Sequence, residues 1–302
     1  MTIALTGGTG FVGKALIDRV LASGRRLSAL ARQPQEPREG VAWVPGDLAD
    51  PQALAALVRG CAVVIHVAGV VNAPDPHGFE QGNVTGTMNL IEAVLAEGVR
   101  RFIFVSSLSA REPGLSAYGA SKARAEKLVT ASGLDWTIVR PPAIYGPHDR
   151  EMLDLFRAAK WGFVPVPAQG RASVIHVEDL ADLLVALASA GTAPVGARFE
   201  PDDGRIGGWS HHELARAIGA AVGRQPRVIG LSRAALERAA RLDRMLRGPR
   251  AKMTADRAAY FSHPDWIVSR GAAVPGRIWT PRIETHAGLK ATAQWYRQAG
   301  WL

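Results

Sequence analysis

Residues 7–13 read Gly-Gly-Thr-Gly-Phe-Val-Gly, directly after a β-branched run and at the opening of a helical pattern. Gly7, Gly10 and Gly13 give the spacing G-x-x-G-x-x-G, and from Gly8 the same stretch reads G-x-G-x-x-G. Residues without Cβ permit a tight turn whose backbone N–H groups approach a pyrophosphate at the positive end of the following helix. Thr9, Phe11 and Val12 are the side chains set into that turn. Glycines alone mark any tight turn, but between a strand and a helix they mark a dinucleotide site. The residue closing the second strand selects the dinucleotide. Here it is Arg32, with no acid before Glu36. A guanidinium pairs with a 2′-phosphate through two parallel hydrogen bonds, so NADP(H) is preferred and NAD(H) is the alternative.

Further along, Tyr118 and Lys122 stand at i and i+4, on one face of a helix. A free tyrosine titrates near ~10, too high for proton exchange at neutral pH. A neighbouring ammonium and an oxidised nicotinamide both favour the phenolate and lower that value. Ser107 ends the strand before this helix and adds a hydroxyl donor. A Tyr-x-x-x-Lys pair is commonplace by itself. Its meaning comes from the company of the glycine turn and the serine.

The elements that must position these residues follow a regular rhythm. Strands are predicted at Thr2–Thr6, Leu27–Ala31, Val41–Val44, Ala62–Ala68, Arg101–Ser106 and Trp136–Arg140, and helices at Phe11–Ser23, Pro51–Arg59, Asn83–Glu97 and Ser116–Ser132. Six strands alternating with helices predict an α/β fold, a doubly wound parallel Rossmann sheet with its ligand at the carboxyl ends of the strands. After Arg140 the rhythm breaks, and Pro141, Pro142, Pro147, Pro165 and Pro167 predict an irregular excursion. A strand-then-helix unit returns at Ser173–Ala188. The expected division is a dinucleotide-binding domain over 1–198, with 146–170 as an excursion, and a smaller α+β substrate domain over 199–302.

The chain resembles the extended short-chain dehydrogenase/reductases, the epimerase/dehydratase-like branch. The matching pieces are TGGTGFVG (6–13), GDL (46–48), HVAG (66–69), NVTGTMNL (83–90), FVSS (104–107), YGASK (118–122), RPPAIYGP (140–147) and IHVEDLA (175–181). The resemblance implies that Tyr118 is the general acid/base and that Lys122 holds the nicotinamide ribose and lowers the Tyr118 pKa. It implies that Ser107 hydrogen-bonds the reacting oxygen and that Asn83 supports the proton path. Gly7, Gly10, Phe11 and Val12 would contact the pyrophosphate, Asp47 and Leu48 the adenine, Ala68 and Gly69 the adenosine ribose, and Pro142 and Ile144 the nicotinamide. Sugar-nucleotide members usually carry Asn where this chain has Ala143, which lowers the case for such a substrate. The eleven-residue step from Ser107 to Tyr118 is short and resembles a group in which NADPH binding can be structural.

These readings converge on an NADP(H)-dependent oxidoreductase interconverting a carbonyl and a secondary alcohol on a small, apolar substrate. The alternatives are an epimerase or dehydratase with tightly bound NAD, and a non-catalytic NADPH-binding accessory subunit.

Charge adds one further feature. The 302 residues carry 36 Lys and Arg against 27 Asp and Glu, a net +9. Ten basic and three acidic residues between Arg224 and Arg257 supply +7 of it, so the rest is nearly neutral and no nucleic-acid partner is expected. Within 232–252, Leu236, Ala239, Ala240, Leu242, Met245 and Leu246 recur at helical spacing among arginines. A basic amphipathic helix of this kind fits either a packed helix with a solvated face or peripheral membrane contact. A homodimer through sheet-flanking helices suits the family. Six of eight tryptophans lie beyond residue 150 and predict a bulky second core or an aromatic-lined pocket. His66 reads as a packed core residue, and His211 and His212 as exposed first-turn residues behind a Ser210 cap. No His, Asp or Glu grouping has metal-ligand spacing, and no metal is expected. The lone Cys61 fits a reducing compartment, and a strand beginning at Thr2 leaves no room for a leader, so a cytoplasmic location is expected.

Overall fold

The computed structural model describes residues 1–191, 194–248 and 254–302. The chain opens with β1 (Thr2–Thr6), whose side chains from Ile3 onward are all buried, as a parallel strand covered on both faces requires. Helix α1 (Phe11–Ala22) buries Leu16, Ile17 and Val20 on one stripe. Strands β2 (Arg26–Ala31) and β3 (Val41–Pro45) follow. Asp50 caps α2 (Pro51–Val58) by accepting from the N–H groups of Gln52 and Ala53, with Pro51 in the first turn where its missing N–H costs nothing. Beyond β4 (Val63–His66) the short α3 (Pro76–Phe79) runs through a π-helical turn, Glu80–Thr85, into α4 (Gly86–Ala96). Next come β5 (Arg101–Val105), a 3-10 turn (Leu108–Arg111), α5 (Ala117–Ala131) with its Ser116 cap, and β6 (Asp135–Val139).

Two of these elements differ from the sequence expectation. The helix expected from Asn83 begins earlier, because Asp75 caps it and Pro76 opens it, while Gly78, Gly82 and Gly86 hide the pattern. Strand β4 stops at His66 instead of Ala68, since the Ala68 N–H leaves the ladder and donates to the Thr6 hydroxyl.

The remaining chain contributes β7 (Ala143–Tyr145), α6 (Leu153–Trp161), β8 (Phe163–Pro167), β9 (Arg171–Ala172), β10 (Val174–His176) and α7 (Val177–Ser189). Strand β11 (Ala197–Phe199), β12 (Trp209–Ser210), α8 (His211–Ala221), β13 (Arg227–Leu231) and α9 (Arg233–Arg247) come next. The last elements are α10 (Ala255–Ser262), β14 (Asp265–Trp266) and α11 (Thr285–Gln298). Among the described residues, no helix is long and apolar enough to cross a membrane.

The chain forms two compact units. The first comprises Met1–Arg140, Leu180–Glu200 and Ala272–Thr280. Its sheet is parallel throughout, in the order β11-β6-β5-β4-β1-β2-β3. The seventh strand, β11, is three residues long and lies beside β6, too short to leave a pattern in the sequence. Strand order reverses between β1 and β4, which opens the crevice that ligands use in such sheets. Leu54, Leu57, Val64, Leu90, Phe102, Phe104 and Ile138 fill the core on one face of this sheet.

The second unit comprises Pro141–Asp179, Pro201–Gly271 and Pro281–Leu302. It holds three small sheets, β10-β7, β12-β9-β14 and β13-β8, around Tyr145, Phe156, Val164, Ile218, Leu289 and Tyr296. Asp203 ties its segments together by accepting from Trp209 Nε1 at 2.8 Å and from the Thr285 hydroxyl at 2.6 Å. Of the tryptophans expected in a second core, Trp209 and Trp266 are buried, whereas Trp161 is exposed. His211 is half-buried rather than exposed, and burial holds its imidazole below the usual range.

A charged knot closes the carboxyl end of β6. Arg140 donates to the buried Glu126 carboxylate through Nε at 2.8 Å and Nη2 at 2.6 Å, and reaches the buried Glu200 at 3.5 Å. Glu126 also accepts from the Ser106 hydroxyl at 2.6 Å, and Arg111 lies 3.7 Å from Glu200. Replacing Arg140 with Met leaves two buried carboxylates short of their main partner. We expect a loss of about 3 kcal/mol in urea unfolding, at the low end of the range for a broken buried pair because Arg111 and Arg198 remain.

Candidate active site

The glycine turn occupies the step from β1 to α1. Gly7 has φ +77°, and a Cβ there would sit 2.7 Å from Ala68 N; a Cβ on Gly13 would sit 2.0 Å from Gly7 O. Both positions therefore require glycine, and the turn lies directly against the backbone that leaves β4. Gly10 caps α1 with backbone alone, and the first turn holds no acidic residue. The positive helix end and its N–H groups are thereby left to an outside anion, with Thr9 and Gly10 exposed and Phe11 and Val12 half-buried beside them. This cradle fits a dinucleotide pyrophosphate. Arg32 stands exposed immediately after β2, and Asp47 immediately after the Gly46 turn that follows β3. One Asp47 carboxylate oxygen accepts the Ala49 N–H at 2.8 Å, and Leu48 packs under Gly86.

Behind the turn runs a directed chain of hydrogen bonds. The Thr87 hydroxyl donates its only proton to the Asn83 carbonyl at 2.6 Å, so it must accept from His66 Nε2–H at 3.0 Å. His66 Nδ1 then accepts the Thr6 hydroxyl proton at 2.6 Å, and Thr6 in turn accepts the Ala68 N–H at 3.2 Å. His66 is fully buried, and desolvation, aided by the Lys122 charge, pushes its pKa down to about 3. The sequence placed this histidine in the core; its hydrogen bonds make it the link between β1, β4 and the π-helical turn.

Asn83 sits in that turn, buried, and its amide is fully used. Oδ1 accepts Val70 N–H at 2.7 Å, while Nδ2 donates to Val70 O at 3.0 Å and to the Ser121 hydroxyl at 2.9 Å. It clamps the loop of Ala68 and Gly69 to the helix of Tyr118 and Lys122. Ser121 donates to Tyr118 O, and the Phe79 ring lies 6.0 Å from the Tyr118 ring. Lys122 is buried; its Nζ donates to Val105 O at 2.9 Å and lies 4.4 Å above the Phe104 ring. Desolvation pushes the Lys122 pKa down to about 8, and the Glu126 carboxylate one helical turn away works in the opposite direction.

Ser107 caps the 3-10 turn, its Oγ accepting from Ser109 N–H at 3.2 Å and from the Ser109 hydroxyl at 2.9 Å. Its own proton is thereby free of Ser109. Gly119 lets α5 rest on this turn, since a Cβ there would meet Ser109 O at 2.6 Å. The first unit thus brings together Ser107, Tyr118, Lys122, Asn83, Ala68 and Gly69 around the ends of β4 and β5. Pro142 and Ile144 belong to the second unit, where Ile144 pairs with Ile175. Sequence reasoning passed over Thr6, Thr87, Ser109 and Glu126. The i, i+4, i+8 spacing of Tyr118, Lys122 and Glu126 is the signal that could have found Glu126, and Thr6 and Thr87 lie unremarked inside the pieces TGGTGFVG and NVTGTMNL. Among the described residues, no three His, Cys, Asp or Glu side chains are grouped to hold a metal ion.

A sequence profile of NAD(P)H-binding proteins matches residues 7–190. The chain is similar to a ceramide reductase of Caulobacter vibrioides (strain NA1000 / CB15N), 39% identical over 99% of this chain and 96% of that protein. It is also similar to a 2-alkyl-3-oxoalkanoate reductase of Stenotrophomonas maltophilia (strain K279a), 35% identical over 51% of this chain and 54% of that one. Among solved structures, the fold resembles a UDP-glucose 4-epimerase of Thermus thermophilus in complex with NAD. That likeness has a TM-score of 0.71 and 21% identity, and covers 99% of this chain and all of the other.

His66 gives the site a pH dependence that stability measurements can read. An unfolded His66 takes up a proton near pH 6.5, whereas the folded one resists down to about 3. The unfolded chain therefore binds more protons across that window, and stability falls as pH drops through it. Urea unfolding from pH 7 to pH 4 should show this loss in the wild type, and His66→Asn should lack that component of the slope.

Proposed function

Since the chain belongs to the extended short-chain dehydrogenase/reductases, we propose that it is an NADP(H)-dependent reductase. Its substrate is a ketone in a long-chain, ceramide-like lipid, which it converts to the secondary alcohol. Lys122 carries the chemical part of this reading: a buried ammonium, fixed on Val105 O, one helical turn beyond Tyr118. Bound NADPH supplies the hydride to the carbonyl carbon. Tyr118 delivers the proton to the carbonyl oxygen, and the Lys122 charge eases the phenol's ionisation. Ser107 donates a hydrogen bond to the same oxygen as charge develops on it. Asn83 acts through what it clamps, keeping Gly69 and the Tyr118 helix in register.

Gly7, Thr9, Gly10, Phe11, Val12 and Gly13 hold the pyrophosphate, Arg32 the 2′-phosphate, Asp47 and Leu48 the adenine, and Ala68 and Gly69 the adenosine ribose. The lipid class is supported by the near full-length similarity to a ceramide reductase, which includes the hundred C-terminal residues where sequence motifs are sparse. An apolar substrate also agrees with Ala143 in place of a hydrogen-bonding asparagine. A reducing, cytoplasmic setting suits the single, buried Cys61.

Tyr118→Phe should lower turnover of the keto-lipid by roughly 10²–10⁴-fold with NADPH affinity unchanged, as read by steady-state kinetics beside a cofactor titration; full activity in this variant would remove the acid/base assignment. For Arg32, titration of the cofactor-free protein should favour NADPH over NADH by about tenfold, roughly 1.4 kcal/mol, and Arg32→Glu should abolish that preference.

A further inference from the structure

Helix α9 is covered along one narrow stripe only. Leu236 and Ala240 are buried against Ala258 of α10, and α10 is held in turn by Trp266, which stacks on Tyr260 at 4.5 Å and donates from Nε1 to Tyr260 O at 2.9 Å. The opposite face departs from the usual solvated pattern. Leu242, Met245 and Leu246, spaced i, i+3 and i+4, are exposed to 53%, 76% and 72%. Arg238 and Arg241 precede Leu242 and Met245 by one turn on the same side, and Arg244, also exposed, flanks Arg241 at the margin toward the buried stripe. Arg233 and Arg247 are engaged by Glu237 and Asp243, but no acidic side chain among the described residues pairs with Arg238, Arg241 or Arg244.

The strand leading into α9 carries more of the same chemistry. In the β13–β8 pair, Arg227 sits opposite Phe163 and Ile229 opposite Pro165, and all four are exposed while Val164 and Val166 point into the core. Trp161, two residues before Phe163, is 83% exposed. A solvated helix would place polar groups where Leu242, Met245 and Leu246 stand, so this face is built for an apolar partner. The uncompensated arginines say that the partner is negatively charged.

We infer that the α9 face, Leu242, Met245 and Leu246 with Arg238, Arg241 and Arg244, docks on the surface of an anionic lipid bilayer. Leucine and methionine side chains enter the headgroup–acyl boundary while the guanidinium groups pair with lipid phosphates. Arg250 and Lys252, also expected in this contact, lie outside the described residues. The inference goes beyond the reductase reading and does not depend on it, since a reductase can take its lipid from solution and a membrane-bound protein need not be a reductase.

The test is flotation of the purified full-length protein with vesicles of phosphatidylcholine alone or of phosphatidylcholine with phosphatidylglycerol. The wild type should float with the anionic vesicles only, and added salt should weaken this binding. Leu242→Ser, Met245→Ser and Leu246→Ser together should weaken it about tenfold or more. Arg238→Ser, Arg241→Ser and Arg244→Ser together should abolish it. Both triple variants should keep the wild-type circular dichroism and NADPH affinity, because every substituted side chain is exposed. A wild type that stays with the soluble fraction at low salt would overturn the inference. So would full binding by the Leu/Met variant, since charge alone, as for any polyanion, would then suffice; and so would a wild type that self-associates through this face and ignores vesicles.

Discussion

The site rests on one chain of hydrogen bonds running across the crevice of the sheet, from Ala68 through Thr6, His66 and Thr87 to Asn83. Each hydroxyl in it has a single proton, so fixing the direction at Thr87 fixes it everywhere, including the Nε2–H tautomer of His66. The end of β1, the end of β4 and the π-helical turn therefore share one arrangement. From that arrangement follow the close approach of Gly7 to Ala68 and the placing of Asn83 between Val70 and Ser121. A neutral histidine suits this task because it both donates and accepts; a lysine or a carboxylate at this depth would introduce a charge.

Around the site, buried charge lies on the other side, and there it is matched. Glu126 and Glu200 face Arg140, with Arg111 and Arg198 at the margins. Lys122 regains from Glu126 part of what burial takes from it, and is left with a pKa of about 8. An ammonium in this position is largely charged at neutral pH yet little hydrated, which is the state that acts most strongly on a neighbouring phenol. Helix α5 achieves this with a single face: Tyr118, Lys122 and Glu126 follow one another at four-residue steps.

Much of the nucleotide-binding fold was legible because its signals are local. The glycine turn, the six strand runs and the Ser210 cap all show in short windows, and the structure has them. What escaped is long-range or made by breaking a local rule. Strand β11 is defined by its pairing with β6 across some sixty residues, not by its own pattern. The π-helical turn runs through four poor helix formers, Gly82 to Thr85, and is held by Asn83 and Thr87. Thr6 and Thr87 look like any other strand or helix threonine until His66 is placed between them. The arginines of α9 were legible as charge, but which of its apolar residues were buried was not: periodicity lists Leu236 and Leu246 alike, and only packing on Ala258 separates them.

The division into units carries a consequence for the order in which the protein can be assembled during translation. Residues up to β6 already hold six of the seven sheet strands, so a nascent chain can begin to order the nucleotide-binding unit early. The second unit has no such head start. Leu289, Ala293 and Tyr296 of α11 lie in the same core as Tyr145 and Phe156, from which they are separated by well over a hundred residues. Until α11 has left the ribosome, that core lacks Leu289, Ala293 and Tyr296, and α8 packs on α6 but not yet on α11. Nascent chains of this protein thus pass through a long interval in which one unit holds most of its sheet while the other still lacks a helix of its core, and it is there that chaperones would have most to shield.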